Sequence, residues 1–138
     1  MNKSVEVINQ YWTDIYFHLH YQHKEKISHQ AVRILQLVDK QENIGVNEIA
    51  SHINVSHNTA SEHVKRMIEK NFLIKNRDAD DQRKVILCLT DIGIEVLHRN
   101  TSLDEKKLEQ ILNQLDDNEK TIVELALKTL SERAKQCM

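Results

Sequence analysis

The hydrophobic positions of this chain follow a helical rhythm over most of its length, interrupted once by two β-rich runs around a charged turn. Ala60, Val64, Met67 and Ile68 line one face of a helix, and His57, Asn58, Ser61, Glu62 and Lys65 occupy the other. Ser56 is placed to cap its first turn, and Asn71 stands where a left-handed C-cap is needed. The β-rich runs follow, Phe72 to Arg77 and Lys84 to Thr90, around Asp78-Ala79-Asp80-Asp81-Gln82-Arg83. Upstream, Asn47 to Ile53 is a short amphipathic helix with Ile49, Ala50 and Ile53 on one side. Only Asn54 and Val55 join the two helices, and Asn54 can take positive φ where Gly is more usual. Two helices across a tight turn, then strand, turn and strand, are the order of a helix-turn-helix followed by a wing.

The flanks are helical. Val5, Ile8, Trp12, Ile15 and Leu19 predict a first helix from residue 4 to about 22, ended by Lys24-Glu25-Lys26. Tyr11, Tyr16 and Phe17 widen its apolar face beyond what a small core uses. Ser28 caps a second helix, with Ile27 and Val32 as a hydrophobic staple and Ala31, Ile34, Leu35 and Val38 facing inward. Ile44-Gly45-Val46 is expected as a minor third strand beside the wing. Thr90 or Asp91 starts a helix running to about Gln114, with a bend expected in the polar stretch Arg99 to Glu105. Asp116 and Glu119 form a capping box for a last helix carrying Ile122, Val123, Ala126, Leu130 and Ala134. The fold class is therefore mainly α with a small β-wing (α+β). Residues 28–92 form a winged helix-turn-helix lobe. Residues 1–27 and 93–138 form a helical region whose apolar faces need a second copy of the chain to cover them.

The wing region resembles the MarR family of bacterial transcriptional regulators. The matching residues are Glu48-Ile49-Ala50, Asn58-Thr59-Ala60-Ser61, Arg66 to Leu73, Arg77-Asp78, Asp81-Gln82-Arg83 and Leu89-Thr90-Asp91-Ile92-Gly93. An Asp-x-Arg wing tip followed at fixed distance by Leu-Thr-x-x-Gly is the most specific part. Glu62 departs from the pattern, since family members often carry Arg or another polar residue there. The resemblance implies an intertwined homodimer on a palindromic operator in double-stranded DNA, most simply a repressor released by a small-molecule effector. It also gives candidates for an effector pocket: Tyr11, Trp12, Tyr16, His20 and Arg33.

Composition refines this picture. The formal charge of −2 looks wrong for a DNA binder until it is divided along the chain. Residues 56–90 hold seven Lys/Arg against five Asp/Glu, whereas residues 91–138 hold seven against ten. The recognition helix and wing thus form the one positive segment, which is what attracts phosphate. No apolar run approaches the roughly 18 residues of a membrane span, and a cytoplasmic location is expected. Cys88 and Cys137 are expected as free thiols, Cys88 as a small buried hydrophobe.

The N-terminal half of a recognition helix reads base edges in the major groove. That assigns Ser56, His57, Asn58, Thr59, Ser61 and Glu62 to the interface, with Lys65 and Arg66 on the backbone. Asn58 can pair with adenine; Glu62 can accept from cytosine or pair with Arg66 one turn on. Arg83 at the tip suits an adjacent minor groove, oriented by Asp81, and Lys75, Arg77 and Lys84 are phosphate candidates. Two other classes compete. Eight histidines, among them His18, His20, His23 and His29, are the support for a metal-dependent enzyme. They lack the i, i+4 spacing of helical zinc ligands, and no nucleophile or phosphate loop accompanies them, so no cofactor or metal is expected. A winged-helix protein-interaction module that does not bind DNA is the other, supported by Glu62 and the small charge surplus.

Overall fold

The computed structural model describes residues 2–22 and 27–137. His23 and the Lys24-Glu25-Lys26 terminator lie outside the described residues. In order, the elements are α1 (Lys3–Leu19), α2 (His29–Lys40), α3 (Val46–Ile53), α4 (His57–Glu69), β1 (Leu73–Arg77), β2 (Val85–Leu89), α5 (Asp91–Thr101), α6 (Glu105–Asn113) and α7 (Asp117–Gln136). They divide into two compact units, residues 20–102 and the two chain ends, 1–19 with 103–138.

The central unit closes its own core. Ile34 and Leu35 of α2, Ile49 and Ile53 of α3, and Ala60, Val64 and Met67 of α4 are buried together with Phe72, Leu73, Leu87, Val96 and Leu97. Each large aliphatic side chain there contributes about 1.5–3 kcal/mol by leaving water. Caps fix where the helices begin. Ser28 Oγ accepts the Ala31 N–H, and Ser56 Oγ accepts the Thr59 N–H, each at 3.1 Å. Asn54 and Asn71 both have positive φ, 58° and 65°. At Asn71 the end of α4 is a full Schellman motif, with Phe72 N–H donating to Met67 O and Asn71 N–H to Ile68 O, both at 2.9 Å. That closure turns the chain directly from α4 into β1.

β1 and β2 pair antiparallel, Leu73 opposite Leu89 and Arg77 opposite Val85. The base of this hairpin is bolted to α4 and α5 by Thr90. Its hydroxyl donates to Asn71 O at 2.6 Å and accepts the Gly93 N–H at 2.9 Å, while its own N–H reaches Phe72 O at 3.1 Å. Gly93 is required by this approach, because a Cβ there would lie 2.1 Å from the Phe72 carbonyl oxygen.

Four expectations from the sequence need correction. The first helix ends at Leu19 rather than near residue 22: the Leu19 carbonyl, which a further turn would use, accepts the Asp104 N–H at 2.7 Å instead. Ile44-Gly45-Val46 is not a strand. Ile44 O accepts one bond from Leu87 N–H at 2.8 Å, but Glu48 Oε1 takes the Gly45 N–H at the same distance and Val46 opens α3. The long helix after the wing is two helices, since Asp104 turns its carboxylate onto the N–H groups of Lys106 and Lys107 and starts α6 afresh. Cys88 is half-buried rather than buried.

The terminal unit differs in kind. α6 and α7 are capped by Asp104 and by the Asp116–Glu119 box, yet α1, α6 and α7 have no buried residue among those described. Trp12 is 54 % exposed and Leu125 59 %, on faces that also carry Tyr11, Phe17, Ile122 and Leu130. Exposed apolar faces of this extent mark interaction surfaces.

Candidate nucleic-acid interface

α4 turns its apolar stripe inward and leaves His57, Asn58, Thr59, Ser61, Glu62, Lys65 and Arg66 exposed. Asn58, Ser61, Glu62, Lys65 and Arg66 make no side-chain hydrogen bond among the described residues, so their polar groups are available. The expected Glu62–Arg66 ion pair is likewise not formed among those residues. Exposed pairs of this kind gain little in water and cost side-chain freedom. Ser56 and Thr59 are different. The Ser56 hydroxyl donates to Thr59 Oγ1 at 3.0 Å, so both side chains are occupied in starting the helix. His57 is held too: its Nδ1 lies 2.8 Å from Asn47 Oδ1, the second residue of α3.

The wing tip is a closed network. Asp78 N–H donates to Lys84 O and Lys84 N–H to Asp81 O, each at 3.0 Å, and Asp80 N–H reaches Asp78 Oδ1 at 2.9 Å. Asp81 Oδ1 accepts the Arg83 N–H at 3.1 Å and stands 3.6 Å from Arg83 Nε. The Arg83 side chain is nonetheless 95 % exposed, oriented at its root and free at its guanidinium face. Lys75, Arg77 and Lys84 are also exposed. Lys75 and Arg77, two residues apart in β1, share one face of the hairpin.

Sequence reasoning missed Asn47. The structure makes it part of a cavity of about 330 Å³ at the junction of α3, α4 and the wing, lined by Asn47, Glu48, His57, Lys75, Lys84 and Val85 among others. No local pattern marks Asn47, because its partner lies ten residues away across the turn. Thr90, expected with Asp91 as a candidate cap, is the N-cap of α5, whereas Gly93 was visible only as a motif; their packing on Asn71 and Phe72 supplies the reason for it.

The remaining candidates are divided between the two units. Tyr11, Trp12 and Tyr16 stand on α1 in the terminal unit, with Tyr16 half-buried, whereas His20 and Arg33 belong to the central unit. Arg33 Nη2 donates to His52 O at 3.0 Å, placing a cation at the C-terminal end of α3, which its dipole favours. Among the described residues no three His, Cys, Asp or Glu side chains converge to hold a metal ion. Nor is any helix of those residues long and apolar enough to cross a membrane.

Residues 27–85 match the MarR family model. No curated protein matches the chain. Among solved structures, S. aureus MepR bound to ethidium bromide has a TM-score of 0.60 at 18% identity, each chain being 97% covered. A single-site variant of S. aureus MepR bound to oligodeoxyribonucleotide has a TM-score of 0.51 at 21% identity, covering 78% of this chain and 80% of that one. The transcriptional regulator Tm0710 from Thermotoga maritima has a TM-score of 0.60 at 24% identity, covering 80% and 78%. Residues 27–85 thus form a domain of the MarR family, and the fold of the chain is similar to that of these solved structures.

Proposed function

We propose that the protein is a homodimeric, sequence-specific DNA-binding repressor whose affinity for a palindromic operator is lowered by a small-molecule effector. One observation carries the DNA reading: a solvent-facing row of unpaired hydrogen-bonding side chains on α4 stands beside a wing tip whose arginine is aimed by a carboxylate. In this reading Asn58, Ser61 and Glu62 meet base edges in the major groove. Lys65, Arg66, Lys75, Arg77 and Lys84 meet phosphates, and Arg83 enters the flanking minor groove. Ser56, Thr59 and Asp81 act by positioning. Residues 28–92 serve as the DNA-binding lobe.

The dimer is supported by the exposed apolar faces of α1 and α7, which a second copy would bury. Residues 1–27 and 93–138 are the dimerisation region in this reading. Effector control is supported by the likeness to MepR with ethidium bound, and double-stranded DNA as partner by the likeness to its oligodeoxyribonucleotide complex. The match to the MarR family and the likeness to a transcriptional regulator favour this reading over an enzymatic one.

The test is footprinting on duplexes recovered from a random pool. The expected footprint is two-fold symmetric, with half-sites about 10 base pairs or a multiple apart, and affinity falling steeply with salt. A single asymmetric half-site at every protein concentration would overturn the reading.

A further inference from the structure

We propose that His57 is a proton-dependent contact to the DNA backbone, held in place by Asn47 as its positioning residue. The contact sits in the groove that His57 shares with Lys75 and Lys84. It deepens the DNA-binding reading above and depends on it. The geometry fixes the chemistry of the ring. Asn47 Oδ1 can only accept, so at 2.8 Å the hydrogen is on His57 Nδ1. In the neutral ring Nε2 is then a bare lone pair, and it meets no hydrogen-bond partner among the described residues. Facing a phosphate oxygen, that lone pair repels. Once protonated, the same nitrogen donates a charge-assisted hydrogen bond to the phosphate.

The surroundings favour a phosphodiester. The charged groups lining the groove are Glu48 from α3, Lys75 from β1 and Lys84 at the start of β2. Glu48 is held by its Oε1, which accepts the Gly45 N–H at 2.8 Å, and its one negative charge leaves the two lysines in excess. Two lysines and the imidazole therefore line one cavity where α3 and α4 both begin. A phosphate seated there offsets repulsion among the cations, so proton binding and DNA binding reinforce each other, and each must strengthen the other equally. The contribution is present when the ring is charged and absent when it is neutral.

The test measures affinity for a mixed-sequence duplex at low salt from about pH 8 to about pH 5.5, the interval in which imidazoles change charge. Wild type, His57→Gln and Asn47→Ala are compared, with circular dichroism as the folding control; both side chains are exposed, so both variants are expected to fold. Wild type should tighten as pH falls by about tenfold more per protomer than His57→Gln, the lower range for a hydrogen bond to a charged group. Its salt slope should steepen by about one per protomer over the same interval, and that of His57→Gln should not. Asn47→Ala should lose part of the low-pH gain and so flatten the pH dependence, whereas a general structural defect would weaken binding equally across the range. If His57→Gln follows wild type across the whole range, the inference is wrong while the DNA reading stands. If wild type binds no duplex at any pH, both fall.

Discussion

Asp81 holds Arg83 by two atoms at once: its Oδ1 accepts the Arg83 backbone N–H at 3.1 Å and lies 3.6 Å from the guanidinium Nε. The carboxylate therefore fixes the turn and aims the side chain that leaves it. As an exposed ion pair it is worth at most about 1 kcal/mol to folding. Its value lies in positioning, because an ordered arginine loses less freedom on reaching a groove.

This relationship makes a prediction in which the sign changes with background. Asp81→Ala should weaken DNA binding several-fold in the wild-type protein, because Arg83 loses its orientation. In an Arg83→Ala background the same substitution should leave binding unchanged or tighten it, since only a negative charge near phosphate is removed. A double-mutant cycle by fluorescence anisotropy reads the coupling directly. Additive effects would show that Asp81 does not act through Arg83.

Gly93→Ala should destabilise the protein although alanine is the better helix former. The gain in helix propensity is about 1 kcal/mol. Against it, the new Cβ lies 2.1 Å from Phe72 O and 3.0 Å from Phe72 C, backbone atoms that cannot rotate aside. Relieving the clash must pull α5 from the wing base and stretch the Thr90 N–H to Phe72 O bond. A net loss of about 2 kcal/mol is expected, lowering Tm by roughly 10 °C. A thermal melt in which the variant matches wild type would show that α5 is not pinned there.

Deleting residues 1–20 or 116–138 should abolish dimers and DNA binding together, because either deletion removes one of the exposed apolar faces that two copies are proposed to share. Analytical ultracentrifugation reads the first effect and mobility shift the second. A truncated protein that sediments as a folded monomer and still binds DNA would remove the proposed architecture.

Much of the helical framework was legible because its signals are local. Ser28, Ser56, Asn54, Asn71 and the Asp116–Glu119 box all act within a few residues, and each takes the role its chemistry suggests. Two of the errors arose where a distant group decided the matter. Leu19 ends α1 by receiving a bond from Asp104, and Ile44 has a single backbone bond from Leu87 without a strand forming. At the candidate interface, the periodicity of α4 showed which residues face outward. It could not show that Ser56 and Thr59 satisfy each other, or that His57 is tethered to Asn47.

The central claim is that α4 and the wing read DNA in different ways, and selection of bound sequences from random duplexes by wild type, Arg83→Ala and Asn58→Ala tests it most directly. A major groove distinguishes every base pair, whereas a minor groove shows A·T and T·A alike. Asn58→Ala should therefore relax preference at one position per half-site, by about 1–3 kcal/mol, and leave the flanks unchanged. Arg83→Ala should weaken binding to most sites and relax an A·T preference confined to the flanks. Wild type should recover a two-fold symmetric sequence. Recovery of no common sequence by wild type, or the same affinity and flank preference with and without Arg83, would contradict the account.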